Sequence, residues 1–205
     1  MNNVQAKFQP NPKKSGRRDE LIEITKGLIA ERGLRGLKVR DVATAAGCAL
    51  GSIYNDFGDF DGLILEVSRG TVRHLTKALS EADDASPVRH LHRLAEGYLD
   101  FATSHPNLLR ALFEHRMEDD KPFPQDLLDM VQVAFALMYK PFSVLLPDLP
   151  HEQVAMLAKT MFSAVHGIIS LGLEERLVAV PPEMLRMQLT GFVTTHLAGL
   201  GISEP

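Results

Sequence analysis

Eight histidines, one cysteine and a short run of hydroxyl and amide side chains are the residues of this chain with chemistry to offer. His90 and His92 are two apart, so on a helix they point in different directions. There is no His-Glu-x-x-His pattern and no Cys/His cluster, so no metal site is expected. His105, His115 and His166 can meet only through folding. His166 sits between Val165 and Gly167 in an apolar stretch. It is a candidate to line a cavity, with Gly167 leaving room beside it, or else a hydrogen-bonded core histidine. Phe101, Phe113, Phe135, Tyr139, Phe142 and Phe162 read as cavity wall or as plain core. No nucleophile elbow, phosphate loop or dinucleotide fingerprint is present. The chain therefore offers no paired acid and base for catalysis, and neither catalytic residues nor a cofactor are expected.

A second constellation lies in "GCALGSIYNDF". Gly51 and Ser52 fall at the start of a short helix, where backbone can approach a phosphate or a groove wall. Ser52 and Tyr54 offer hydroxyls to phosphate oxygens. Asn55 can pair with adenine N6 and N7, or can cap the helix C-terminus. The charge distribution points the same way. The net charge is −4, yet residues 1–60 carry ten Lys/Arg against seven Asp/Glu, and all ten precede residue 41. A basic head on an acidic body suits a polyanionic partner. Lys13, Lys14, Arg17 and Arg18 form a basic arm able to reach a minor groove or flanking backbone, and Lys38 and Arg40 flank the next helix.

The elements that must position these residues show almost only helical periodicity. Residues 1–16 hold two prolines and little to bury, and read as a disordered arm. Leu21, Ile24, Thr25, Leu28 and Ile29 make one face of a first helix, which Gly33 stops. Short helices follow over about 39–46 and 50–56, with Gly47 supplying the positive φ of the turn between them. Ala43 is small enough for the two to cross closely, Cys48 plugs the core, and Ile53 and Phe57 face inward. Further helices are expected from near 59 to before "DDASP", then over about 87–104, 108–117, 125–146, 151–175 and 183–199. Pro141 should kink or shorten the 125–146 helix. The last two helices are apolar on more than one face, which points to a subunit interface including Ile169, Leu189, Phe192 and His196. With 205 residues the chain holds one or two domains. No run of about 18 apolar residues predicts a membrane span. The polar N-terminus has no secretory pattern, and a single cysteine suits a reducing cytoplasm.

Two short helices joined by a tight turn after a longer helix make a helix-turn-helix. Residues 17–63 resemble the DNA-binding domain of the TetR family of bacterial one-component regulators. The family pattern "xVRDIAxxAGVSxGTLYxHFxxKxxLL" is here "KVRDVATAAGCALGSIYNDFGDFDGLI". The segments "YLDFATSHPNLLRALF" and "FSAVHGIISLGLEERL" are similar to the C-terminal domain of the subgroup named for a Trp-His-Gly signature, with Phe162, His166 and Gly167 at its positions. The resemblance implies an all-α protein of about nine helices, with a helix-turn-helix domain over 17–63 and a ligand-binding and dimerisation domain over 64–205. It implies a homodimer on operator DNA, most often a repressor, released by a small-molecule effector. The chain departs from the pattern in four places. Ala49 replaces a Ser cap, at a cost of about 1 kcal/mol. Leu50 replaces a polar or basic residue, Asp56 replaces His or Tyr, and Phe60 replaces a phosphate-holding Lys. These departures favour a shift of phosphate contacts toward the arm. They also keep open a regulator-derived protein that has lost DNA binding. A small helical enzyme is the remaining alternative.

Overall fold

The computed structural model describes residues 12–81, 84–118, 121–174 and 180–202, with side chains from residue 16 onward. Residues 1–11 of the expected arm lie outside the described residues. Among those described there are nine helices and no strand.

The N-terminal unit is α1 (Pro12–Arg32), α2 (Val39–Ala45) and α3 (Leu50–Phe57), closed by the start of α4 (Phe60–Ser80). Helix α1 begins at Pro12 and so takes in residues 12–16, which sequence reasoning assigned to the arm. Proline favours the first helical turn, where its missing N–H costs nothing. The α1 C-terminus stops at Gly33, whose φ of 77° lets its N–H reach the Ile29 carbonyl at 2.8 Å. Gly47 takes φ 60° in the turn between α2 and α3, as the sequence requires. Leu21, Val42, Ala43, Ile53 and Leu63 form the small core of this unit, and Cys48, Phe57 and Phe60 pack against it.

The C-terminal unit consists of the rest of α4, then α5 (Pro87–Ser104), α6 (Pro106–Glu114), α7 (Gln125–Leu145), α8 (His151–Gly172) and α9 (Pro182–Gly199). Ser86 caps α5, accepting from the Arg89 N–H. Helix α7 runs through Pro141 to Leu145 rather than ending there. Pro141 and Phe142 are both buried, so packing holds the turn whose hydrogen bond the proline removes. Helices α7 and α8 are long and apolar enough to cross a membrane, with mean hydropathy 1.2 and 1.5 over their richest windows. In the fold α7 packs on α4, α5 and α8, and α8 packs on α7, α9 and α5. Their inward residues, among them Phe142, Met161, Val165 and Ile169, join the main core.

The two units share a joint. Ile29 of α1, Ile64 and Val67 of α4, and Leu108 and Ala111 of α6 form one buried cluster. Asn107 of α6 donates its side-chain amide to the Ala30 carbonyl at 2.9 Å, tying α6 to the end of α1.

Candidate nucleic-acid interface and cavity

Helix α3 turns the residues proposed to meet DNA toward solvent. Ile53 is wholly buried, whereas Gly51, Tyr54 and Asn55 are exposed and Ser52 is half-buried. Ala49 is the N-cap of α3 and makes no side-chain cap bond, as its replacement of Ser foretells, and the Ser52 N–H turns instead to the Ala49 carbonyl at 2.9 Å. The helix ends on Gly58, at φ 84°, whose N–H bonds the Tyr54 carbonyl at 2.8 Å. The cap is therefore Gly58, and Asn55 is left with its amide in solvent. Lys38, the α2 N-cap, and Arg40 are exposed beside α3. The Lys38 N–H donates to Asp41 at 2.8 Å, which starts α2.

The arm residues are placed differently. Arg17 forms a paired bond to the Asp56 carboxylate, Nε and Nη2 each at 2.9 Å. Arg18 donates to the Asp56 carbonyl and to Glu66, and its guanidinium lies 4.4 Å above the Phe57 ring. Asp56, which replaces the His or Tyr of the family pattern, is thus an internal counterion tying the end of α3 to α1. The side chains of Lys13 and Lys14 lie outside the described set. Phe60 begins α4 and, partly buried, packs against both the head core and the α1–α4–α6 joint.

Between α3 and α4 the chain turns in very little room. Asp59 caps α4 by accepting from the Gly62 N–H at 2.7 Å. A Cβ at Gly62 would fall 2.2 Å from the Phe57 carbonyl oxygen, so no other residue fits without opening the joint. Next to Gly62, Asp61 is only 8% exposed. Its carboxylate accepts from the Glu118 N–H at 2.7 Å and lies 2.9 Å from His115 Nε2. Burial works against its charge, but the Glu118 N–H and the His115 ring outweigh it and hold the carboxyl below its usual range. This pair straps the segment after α6 to the first turn of α4.

That segment leads into a cavity of about 330 Å³ enclosed by α4, α5, α6, α7 and α8. The size is at the lower end for small-molecule sites. Phe113, Phe135 and Phe162 line it, as proposed from the sequence. Phe101, His105 and Tyr139 do not. Phe101 is buried beside His74 and His105, with ring centroids 5.3 and 4.9 Å away, and Tyr139 packs on His151. His105 has its pKa lowered by burial, with His74 and Lys26 adding to the effect. His166 reaches the wall at one remove. Its Nδ1 is 2.9 Å from the Tyr98 hydroxyl, and Tyr98 lines the cavity. Burial lowers the His166 pKa and raises that of Tyr98, so both are neutral near pH 7. Sequence reasoning missed Tyr98. Its place four residues after Leu94 on the apolar face of α5 was the available signal.

Among the proposed interface residues, Ile169 and Leu189 are 1% and 0% exposed. They belong to the subunit's own core and have no surface for a partner. Phe192 and His196 are half-buried and stacked on each other, centroids 5.6 Å apart. The open apolar side chains of these helices are instead Met156, Leu171, Met184 and Met187. Among the described residues no group of three His, Cys, Asp or Glu is placed to hold a metal.

The family model of bacterial regulatory proteins of the tetR family matches residues 21–67. A second model, the tetracyclin repressor-like C-terminal domain, matches residues 91–192. The chain belongs to the TetR family. A transcriptional repressor of Rhodococcus jostii, KstR2, is 51% identical over 57 residues, 28% of either chain. The KstR2 repressor of Mycobacterium tuberculosis H37Rv is 37% identical over 82 residues, 39% of this chain and 41% of that one. The matches to these two relatives span less than half of their length. The transcriptional regulator BetI of Yersinia pestis is 28% identical over 160 residues, 74% of this chain and 78% of that one. The fold is shared with a protein of unknown function from Rhodococcus sp. RHA1, at TM-score 0.71 and 20% identity over 96% of this chain and 98% of that one. It is also shared with a tetR-family regulator of Streptomyces coelicolor, at TM-score 0.70 and 20% identity over 90% and 82%.

Proposed function

We propose that the chain is a ligand-responsive transcriptional repressor of the cytoplasm, binding operator DNA as a homodimer and released when a small molecule fills the C-terminal cavity. One observation carries this reading: α4 and α6 line the cavity and also hold the DNA-reading head through the shared joint at Ile29, Ile64 and Leu108. A ligand that shifts either helix moves the head, and two heads moved apart no longer fit half-sites spaced by the DNA repeat. Gly51, Ser52, Tyr54 and Asn55 are the groove-facing set, with Lys38 and Arg40 on phosphates. The dimer seam is the exposed face of α8 and α9, carrying Leu171, Met184 and Met187. The finer likeness to the Trp-His-Gly subgroup rests on Phe162, His166 and Gly167 around the Tyr98 contact.

A second reading has its own support. Arg17 and Arg18 are held by Asp56 and Glu66 in the absence of DNA, which suits a ligand-binding descendant with weakened DNA contact. Titrating the protein's upstream DNA at two salt concentrations separates the two. Selective binding that weakens steeply with salt supports the repressor. No binding at low salt refutes it and favours the descendant.

A further inference from the structure

The cavity wall carries information about what fills it. Of its lining side chains among the described residues, only Ser68 and Tyr98 bear a nitrogen or oxygen, and none is an ionisable acid or base of the Lys, Arg, His, Asp or Glu kind. The rest are aliphatic, aromatic or methionine. We infer that the effector is a neutral, largely hydrocarbon molecule with an oxygen function that meets the Tyr98 hydroxyl. The inference rests on the cavity being the effector site.

The geometry sets this class in two ways. An anionic ligand would shed its water with no cation in the wall to replace it, and apolar surroundings penalise such a charge heavily. A hydrocarbon without oxygen would leave the Tyr98 hydroxyl, the polar tip of this wall beside His166, unused by the ligand. The Tyr98–His166 contact, at 2.9 Å, makes that tip adaptable. If His166 carries its proton on Nε2, Tyr98 donates to Nδ1 and its oxygen can accept from a ligand hydroxyl. If the proton is on Nδ1, the ring donates to Tyr98, whose own O–H is then free for a ligand carbonyl. Alcohols, phenols and ketones are served by the same pair, whereas a carboxylate can take only the one free O–H and finds no cation in the wall to offset its buried charge. Phe162, with its ring 5.5 Å from that of Tyr98, and Phe113, 4.2 Å from that of His166, wall the pair in. Phe113 and Leu128, both exposed, stand where the cavity opens.

Three probes of one shape test the inference: biphenyl, 4-phenylphenol and biphenyl-4-carboxylate, titrated by calorimetry into the full chain and into Tyr98→Phe at pH 7. The phenol should bind the parent about three- to tenfold more tightly than biphenyl, the worth of one neutral hydrogen bond. The carboxylate should bind more weakly than both. In Tyr98→Phe, biphenyl should keep its affinity, which shows an intact fold, and the advantage of the phenol should vanish. A carboxylate as tight as the phenol, an advantage that survives in Tyr98→Phe, or no binding of any probe by the parent would each overturn the inference. Upstream DNA is titrated alongside without probe. DNA binding with no probe binding sinks only the ligand class, and probe binding with no DNA binding sinks only the repressor.

Discussion

Removing the Asp61 carboxylate should uncouple the reading head from the cavity and cost measurable stability. In Asp61→Ala, His115 Nε2 loses its partner at 2.9 Å and the Glu118 N–H loses an acceptor at 2.7 Å. His115 is buried and its Nδ1 already has no partner, so the ring has no second bond to fall back on. Glu118 is exposed, and water can reach its N–H. An orphaned buried polar group costs about 1–3 kcal/mol, and bonds to a charged group stand at the upper end. Asp61 also sits in the first turn of α4, where a negative charge contributes roughly 0.3–1 kcal/mol. The total is about 3 kcal/mol. For a chain of this size that lowers Tm by roughly 6–12 °C. The assay is thermal unfolding of the parent, Asp61→Ala, His115→Ala and the double variant. Coupling between the two sites should exceed about 0.5 kcal/mol, the scatter expected for independent sites. The effect has a pH sign. The Asp61 pKa is depressed in the fold, so its contribution is fully present above the unfolded value of about 3.9 and disappears as pH falls through the folded value. The parent and Asp61→Ala should therefore converge in acid. Additive single variants, or a Tm gap unchanged at pH 2, would refute the strap.

Three further outcomes follow from the same structure. Met187→Asp, at a site 74% exposed, should leave the fold intact and yield monomers by sedimentation; an unchanged dimer mass would move the seam off α9. Gly62→Ala drives a methyl to 2.2 Å from the Phe57 carbonyl and should destabilise by about 1–3 kcal/mol or more, as overpacking does; a denaturation midpoint equal to the parent would mean the joint can open freely. Asp56→Ala releases Arg17 from its paired bond and should tighten DNA binding while steepening the salt slope by about 0.9, one added phosphate contact. An unchanged slope would mean that Arg17 never meets DNA.

Local signals were legible in the sequence. Gly33 announced the end of its helix, Gly47 its positive φ, Ala49 its missing cap, and Leu21 and Ile53 the inward faces of the head. Each depends on a few neighbouring residues. What escaped depends on partners far along the chain. Asp56 reads as a charge beside DNA until Arg17, 39 residues away, is seen to hold it. Ile169 and Leu189 were inseparable from Leu171 and Met187 because α8 and α9 are apolar on several sides, and only the packing says which side is inward. The cavity was half visible. Phe113, Phe135 and Phe162 stood out as large rings, but much of the wall is leucine and valine that would serve equally well as solid core. Tyr98 escaped because one hydroxyl on an apolar stripe looks like ordinary packing until His166 is found beside it.

The missing side chain at Gly62 has a consequence for the operator DNA proposed as the partner. The end of α3 is closed against α4 at Gly62 and tied to α1 through Asp56. One base pair inserted between two half-sites turns one relative to the other by about 35°, a tenth of the DNA repeat. A loosely joined head would swivel to follow; this one is packed on the start of α4 and has to carry it along. Binding sites for such a protein should drift freely in letters that cost little, yet hold their spacing to the base pair, so that distance rather than spelling is the sturdier mark by which to find them.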